Sequence, residues 1–142
     1  MNVFASKEIE YLRNQPLGRL AAVDGVGEPH VVSVSFRHNA VLDTIDIGGH
    51  SLSRCKKFRD VARNGRAALV ADDVLPPWRA RGVEVRGRAE ALLAEGGQQG
   101  NADLDSDQLR IAPTKIVARG IDTDAYKPNS RSVGAPEESD AA

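Results

Sequence analysis

Basic residues crowd the start of a predicted helix in the middle of the chain. The sequence from Ile47 to Asp60 reads Ile-Gly-Gly-His-Ser-Leu-Ser-Arg-Cys-Lys-Lys-Phe-Arg-Asp. Cations are unfavourable at a helix N-terminus, because the backbone N–H groups there already carry positive partial charge. A bound anion removes this conflict, since N–H groups, serine hydroxyls and cationic side chains all donate to phosphate oxygens. The segment therefore predicts a phosphate site, with a solvated basic face as the alternative.

The residues that would hold the phosphate follow a pair of glycines, Gly48 and Gly49, which allow close approach of the backbone. They are Ser51, Ser53, Arg54, Lys56 and Lys57. His50 lies between the two groups, and its imidazole is the side chain that titrates near neutral pH. It is the candidate proton donor, with simple hydrogen bonding to backbone or cofactor as the alternative. We assign no other catalytic side chain.

Composition limits the class of protein. With 142 residues, 27% charged and 41% hydrophobic, the chain suits one globular domain, and its net charge of -1 argues against a general nucleic-acid binder. No run approaches the roughly 18 apolar residues of a membrane helix, and no secretory h-region is present, so we expect a cytoplasmic protein. A single cysteine and three scattered histidines predict neither an internal disulfide nor a metal site.

Hydrophobic periodicity predicts two helices and six strands. The first helix covers residues 7–14 with Ser6 as its N-cap, and the second runs from the basic segment to Asn64 and stops at Gly65. The second helix should bury one stripe, made of Cys55, Phe58, Val61 and Ala62. The predicted strands are Leu17–Val23, His30–Arg37, Thr44–Gly48, Arg66–Asp72, Gly82–Leu93 and Lys115–Arg119.

The connections predict an antiparallel arrangement. Residues 73–80 contain two prolines and are expected to form an irregular loop, and residues 95–107 an exposed one. From Asp122 onward Pro, Ser, Gly and acidic residues dominate, so we expect an ordered domain over 1–121 and a loosely ordered tail over 122–142. Six strands without crossover helices indicate a barrel or sandwich with helices over its open ends.

The order of the segments resembles the pyridoxamine 5'-phosphate oxidase-like superfamily, and within it the actinobacterial enzymes that depend on the deazaflavin coenzyme F420. The resemblance implies a mainly β split barrel of the FMN-binding kind, forming a homodimer with a flavin or deazaflavin at the subunit interface. The motifs extend over residues 8–121 and are Arg19-Leu-Ala-Ala-Val-Asp24, Pro29-His-Val-Val-Ser-Val34, Ile47-Gly-Gly-His50, Lys56-Lys-Phe-Arg-Asp-Val61, Ala68-Leu-Val70 and Arg81-Gly-Val-Glu-Val-Arg-Gly-Arg-Ala-Glu90.

The resemblance also implies roles for individual residues. The basic helix start falls on the phosphate position, which agrees with the interpretation of the residues themselves. The ring system would lie along Val31, Ser33 and Ser35, and the ribityl chain beside Gly48, Gly49 and His50. The partner subunit of the implied dimer would contribute three further residues, namely Trp78, Arg79 and Arg86.

The implied activity is hydride transfer between reduced coenzyme F420 and a small organic acceptor that the sequence does not name. The coenzyme carries an acidic polyglutamate tail, and the chain has more cationic residues than one phosphate needs. These residues are Arg37, Arg54, Lys57, Arg79 and Arg86. Two alternatives stay open. One is an oxidoreductase of the same fold that uses FMN, and the other is a non-catalytic dimer that binds a flavin, a deazaflavin or a haem-like tetrapyrrole.

Overall fold

A computed structural model describes residues 3–49, 56–92, 105–121 and 127–133. It contains two helices, α1 (Ser6–Arg13) and α2 (Lys56–Asn64). The described strands are β1 (Gly18–Val23), β2 (Pro29–Val34), β3 (Arg37–Asn39), β4 (Thr44–Gly49), β5 (Arg66–Leu75), β6 (Arg79–Leu92), β7 (Asp105–Arg119) and β8 (Asn129–Ser132).

All the strands belong to one antiparallel sheet with the order β2-β1-β5-β6-β7-β4-β3, and β8 pairs with β7. The two end strands of this order, β2 and β3, are consecutive in the chain and are joined by Ser35 and Phe36 alone. A two-residue link can join opposite edges only if the sheet curls round and brings them together. The sheet is therefore a barrel with a split between β2 and β3, which confirms the predicted fold class.

Alternating side chains fill the barrel. Along β6 the inward positions Val83, Val85 and Ala89 are buried, whereas Arg86 and Arg88 between them are exposed. This matches the period-2 pattern of a half-buried strand, as predicted. The largest fully buried side chains are Leu12, Leu20, Ile45, Ile47, Leu69, Leu109, Ile111 and Ile116.

Helix α1 covers one end of the barrel with Tyr11 and Leu12, both buried. The predicted N-cap is wrong by one position: Ser6 is the first helical residue, and Ala5 precedes it in an extended conformation. The Ala5 N–H donates to Glu8 Oε1 at 2.9 Å. This side-chain bond satisfies one of the N–H groups at the helix start without a serine cap.

Helix α2 packs on the inner side of the sheet through Phe58 and Val61, both buried as predicted. Ala62 is exposed, contrary to the prediction, and Asp60 occupies the buried face in its place. The predicted stop is confirmed, because Gly65 has a φ of 79° and its N–H bonds the Val61 carbonyl at 2.8 Å. Cys55 lies outside the described residues.

Three predictions at strand ends are wrong. Strands β5 and β6 continue through most of the expected loop and pair as far as Leu75 with Arg79, because both prolines fall within the turn at 76–78. Strand β7 begins ten residues before the predicted Lys115. In the expected loose tail, β8 pairs with Lys115 to Ala118, so that the tail is ordered over this segment. In addition, the predicted strand His30–Arg37 is divided into β2 and β3, so that the described residues form eight strands where six were predicted.

No helix in the described part of the chain is long and apolar enough to cross a lipid bilayer.

Candidate functional site

Gly48, near the end of β4, is an open position of the backbone. Strand β3 ends its pairing with β4 at Arg37 and Asp46. Ser35 and Phe36 lie between β2 and β3 and continue neither strand. A Cβ built on Gly48 meets nothing within 4 Å, so the backbone there faces open space. Of the residues that follow, His50, Ser51, Ser53 and Arg54 lie outside the described residues, as does the side chain of Lys57.

Lys56, the first residue of α2, forms ion pairs with two carboxylates of the same chain. Its Nζ lies 3.3 Å from Asp60 Oδ2 and 3.7 Å from Asp24 Oδ2. Asp60 follows one turn later in the helix, and Asp24 comes directly after β1. The charge conflict at the helix start is therefore partly resolved by internal acidic residues, which the sequence analysis did not select.

Both carboxylates stay ionised. Hydrogen bonds from backbone N–H groups, first that of Glu28, lower the pKa of Asp24 below its ordinary value of 3.8, and Lys56 adds to this effect. Burial by itself would raise the pKa of Asp60, but hydrogen bonds from His30 and Lys56 outweigh it and lower that pKa. Two negative charges thus surround the Lys56 ammonium at neutral pH.

A groove of about 680 Å³ crosses the outer face of the sheet. This outer-face groove has small residues along it, among them Ala21, Ala68 and Gly87, and three cationic side chains at its walls. Its volume falls within the range of small-molecule sites. The cations and hydroxyls that line it are Arg66, Arg86, Lys115, Thr114 and Ser132.

Four residues of the groove lie on one line of paired residues across the strands, and Val31 continues this line on β2. Val31 pairs with Ala21, Ala21 with Ala68, Ala68 with Arg86, and Arg86 with Lys115. Residues directly opposite in antiparallel strands point to the same face. The structure thus brings Val31 and Arg86 to one face, three strand spacings or about 14 Å apart. Ser33, two residues beyond Val31, shares this face and is exposed.

Arg86 is held by a neighbour on its own strand. Its Nε donates to Glu84 Oε2 at 2.6 Å, and about half of its side chain is exposed at 51%. This hydrogen bond raises the pKa of the Arg86 guanidinium above its ordinary value. Glu84 orients Arg86 and weakens its field toward an anion in the groove.

Trp78 and Arg79 lie far from Arg86 within one chain. They stand at the tip of the β5–β6 hairpin, seven residues along β6 and thus about 23 Å from Arg86. Trp78 is 72% exposed. The three residues do not converge in a single subunit.

The other two histidines have structural partners. His30 Nε2 lies 2.5 Å from Asp60 Oδ2, so it joins β2 to α2. His38 is buried, its Nε2 is 2.7 Å from Asp43 Oδ1, and its ring meets Phe4 edge to face.

The sequence analysis missed Arg66, Lys115 and Ser132 as groove residues. Each lies beside Arg86 or its neighbours only because of strand register, and register depends on pairing partners far apart in the chain. The available signal was the polar outward position of Lys115 in an otherwise apolar strand.

Comparison with known proteins agrees with this architecture. The sequence profile for pyridoxamine 5'-phosphate oxidase matches residues 5–120. A 5a,11a-dehydrotetracycline/5a,11a-dehydrooxytetracycline reductase of Streptomyces rimosus is 45% identical over 123 residues, which cover 85% of this chain and 86% of that protein.

Two solved structures have a similar fold. The FAD binding protein from Mycobacterium smegmatis superposes with a TM-score of 0.61 at 19% identity, over 82% of this chain and 96% of that one. A pyridoxamine 5'-phosphate oxidase-related, FMN binding protein from Nostoc punctiforme gives 0.60 at 10% identity, over 90% and 92%. With the profile match and the reductase relative, these findings show that the chain belongs to the pyridoxamine 5'-phosphate oxidase family of split-barrel oxidoreductases.

Proposed function

We propose that this protein is a reductase that uses the deazaflavin coenzyme F420 and acts on a small organic acceptor. The reductase relative supports the reaction class, because 45% identity extends over most of both chains. The outer-face groove carries the cofactor part of the proposal. It combines small residues, which allow a planar ring to approach the sheet, with cations that suit an acidic ligand.

The number of cations favours the deazaflavin over FMN. FMN has one phosphate, whereas coenzyme F420 has a phosphate and a polyglutamate tail. Arg66, Arg86 and Lys115 line the groove in addition to the basic segment that precedes and begins α2. Carboxylates of the tail would accept hydrogen bonds from these three side chains, and arginine is well suited to that geometry.

The residues at the split fit the rest of the cofactor. Gly48 leaves its backbone open to close approach, and Ser33 and Ser35 place hydroxyls on the neighbouring part of the sheet. Hydroxyls can donate to ring carbonyls, and an unencumbered glycine can lie against a ribityl chain. This part of the proposal keeps Val31, Ser33, Ser35, Gly48 and Gly49 in the roles that the family resemblance implies.

The bound coenzyme would supply the hydride. The chain's own residues bind it, orient it and keep water from the reacting face. Val31 contributes an apolar side chain that is 65% exposed in the single chain and therefore available for packing. His50 stays our candidate for the proton donor.

The acceptor we propose is a carbon–carbon double bond conjugated to a carbonyl in a polycyclic molecule. The relative's name supports this class, because 5a,11a-dehydro denotes a double bond between two ring carbons of a tetracycline. Conjugation polarises such a bond, so that a hydride adds at one carbon and a proton at the other.

We propose further that two copies form the complete site. Val23, Val31 and Val32 leave an exposed apolar edge on β1 and β2, and a second subunit would cover it. The distance between Trp78 and Arg86 also favours a dimer, because a partner's hairpin tip can reach a site that its own chain does not approach.

The experiment is a turnover assay with purified protein, reduced coenzyme F420 and a dehydrotetracycline. The proposal expects oxidation of the coenzyme that depends on both protein and acceptor. Turnover with reduced FMN alone would support the flavin alternative. Binding of a cofactor or a tetrapyrrole without turnover of any conjugated acceptor would support the non-catalytic one.

A further inference from the structure

The start of α2 is tied to the β1–β2 hairpin through Lys56. Its ammonium lies within 4 Å of a carboxylate on each element, Asp60 in the helix and Asp24 at the end of β1. His30 on β2 binds the same Asp60 oxygen that Lys56 approaches. One small network therefore connects the first turn of the helix with both strands of the hairpin.

The two carboxylates are themselves fixed. Asp24 Oδ1 accepts the N–H groups of Val26 at 3.0 Å and Glu28 at 2.9 Å, which hold it to the turn. The Asp60 side chain is 2% exposed, and its Oδ1 accepts from Arg63 Nη2 at 2.5 Å. The two carboxylates that pair with Lys56 are thus held in place by hydrogen bonds within the protein.

Charge balance separates Lys56 from an ordinary phosphate ligand. Lys56 and Arg63 carry two positive charges, and Asp24 and Asp60 two negative ones. An ammonium already matched by carboxylates attracts a further anion weakly, because the opposite fields largely cancel at a distance. The arrangement suits a residue that positions the helix.

On the basis of the proposed function, we propose that Lys56 is a positioning residue and not a ligand of the cofactor's phosphate. Its ion pair with Asp24 holds the first turn of α2 against the hairpin, and its ion pair with Asp60 links it to the carboxylate that binds His30 of β2. The phosphate end of the cofactor site then depends on the two carboxylates as well as on the basic residues. Removing a carboxylate should weaken the binding of an anion, the opposite of what simple charge repulsion predicts.

The test is the sign of the change in affinity for coenzyme F420 in Asp60→Asn. If Lys56 were a ligand of the phosphate, removing its counter-ion Asp60 would leave the affinity for the coenzyme unchanged or raise it. For a positioning network we expect Asp60→Asn and Lys56→Met each to weaken binding by about tenfold, and the double variant by no more, because the residues act together. Asp24→Asn, which keeps an acceptor oxygen for the turn, gives the same comparison if Asp60→Asn does not fold.

Two controls separate positioning from a general loss of structure. Arg63→Gln also removes a partner of Asp60 but leaves both ion pairs of Lys56 in place, and its affinity for the coenzyme should stay within about twofold. The deazariboflavin that lacks phosphate should bind wild type and Asp60→Asn equally. Weaker binding of coenzyme F420 with unchanged binding of the phosphate-free deazariboflavin would show that the defect is confined to the phosphate end of the site.

Unchanged or tighter binding of coenzyme F420 to Asp60→Asn and Asp24→Asn, together with its loss in Lys56→Met, would make Lys56 a direct ligand and overturn the inference. Wild-type protein that binds neither coenzyme F420 nor the phosphate-free deazariboflavin would overturn the proposed function and this inference with it. The two failures are distinguishable, since the first leaves wild-type binding intact.

Discussion

Asp46 on β4 and Arg110 on β7 form a two-pronged ion pair across the sheet. Arg110 Nε lies 2.9 Å from Asp46 Oδ1 and Nη2 lies 3.1 Å from Oδ2. Asn39 and Thr44 donate to the same carboxylate, whose side chain is 2% exposed. A charge this deep is tolerated because each of its oxygens accepts at least two hydrogen bonds.

We expect Arg110→Met to lower the free energy of unfolding by about 3 kcal/mol, because it removes the cation that binds both carboxylate oxygens. The exposed Arg37, whose Nη2 lies 3.8 Å from Asp46 Oδ2, replaces it poorly. Urea denaturation followed by circular dichroism measures this. The matched control is Arg19→Ala, which breaks an exposed pair with Asp72 at 2.8 Å and should cost less than about 1 kcal/mol. Equal losses in both variants would show that the Asp46 pair has no special weight.

Acid should unfold the protein partly through Asp46. Burial by itself would raise the pKa of Asp46. Hydrogen bonds from Arg110, Asn39 and Thr44 lower the pKa by more than burial raises it, so the pKa of Asp46 is below its ordinary value of 3.8. The stabilisation is therefore complete above about pH 5 and is lost as the pH falls through the folded-state pKa.

The check is the melting temperature of wild type and Asp46→Asn between about pH 5 and pH 2. The variant should be less stable at neutral pH and should lose less on acidification. It should not become insensitive, because Asp24, Asp60 and Asp73 also have lowered pKa values. Parallel curves for the two proteins would exclude Asp46 as a source of the acid sensitivity.

The C-terminal strand should contribute to folding through Arg131. Its guanidinium binds both oxygens of the buried Glu8 at 2.9 Å and 2.5 Å, and it donates to the Val3 carbonyl at 2.8 Å. Arg131→Ala should reduce the free energy of unfolding by about 3 kcal/mol, since Glu8 stays buried without a cation. Ser130→Ala on the exposed side of the same strand should change it by less than about 0.5 kcal/mol. A wild-type value for Arg131→Ala would mean that the ion pair between Arg131 and Glu8 does not stabilise the fold.

Two glycines should respond in opposite ways to alanine. At Gly87 the new Cβ would lie 2.0 Å from the Ala112 carbonyl oxygen, so Gly87→Ala should fold poorly. At Gly48 it would meet nothing within 4 Å, so Gly48→Ala should keep the wild-type melting temperature but bind the coenzyme more weakly. Thermal melting and a coenzyme titration distinguish these outcomes. If Gly48→Ala binds the coenzyme as tightly as wild type does, Gly48 is not part of the cofactor site.

The sequence was sufficient for elements whose own pattern is strong. The alternation along β6 and the Asn64-Gly65 stop of α2 are local signals, and both are confirmed. Strand β7 was misjudged because its first residues are polar and their pairing with β4 is not visible locally. Strand β8 was missed for a related reason, since Arg131 is stabilised by Glu8 at the other end of the chain.

In the candidate site, too, the sequence predicted the features that depend on a local pattern and missed those that depend on long-range pairing. The basic helix start was recognisable from the residues, but the pairing of Lys56 with Asp24 depends on how the hairpin packs against α2. Val31 and Arg86 were selected separately, and only the strand register places them on one face with Lys115. Side chains that act through long-range pairing are therefore beyond a local pattern.

The most direct test of the account is a titration of the purified protein with coenzyme F420, and separately with FMN, followed by the change in cofactor fluorescence. The account predicts saturable binding of coenzyme F420, one molecule for each chain, and weaker binding of FMN. It also predicts that Arg86→Ala and Lys115→Ala weaken binding more for coenzyme with a longer polyglutamate tail. Saturable binding of FMN without any binding of coenzyme F420 would contradict it.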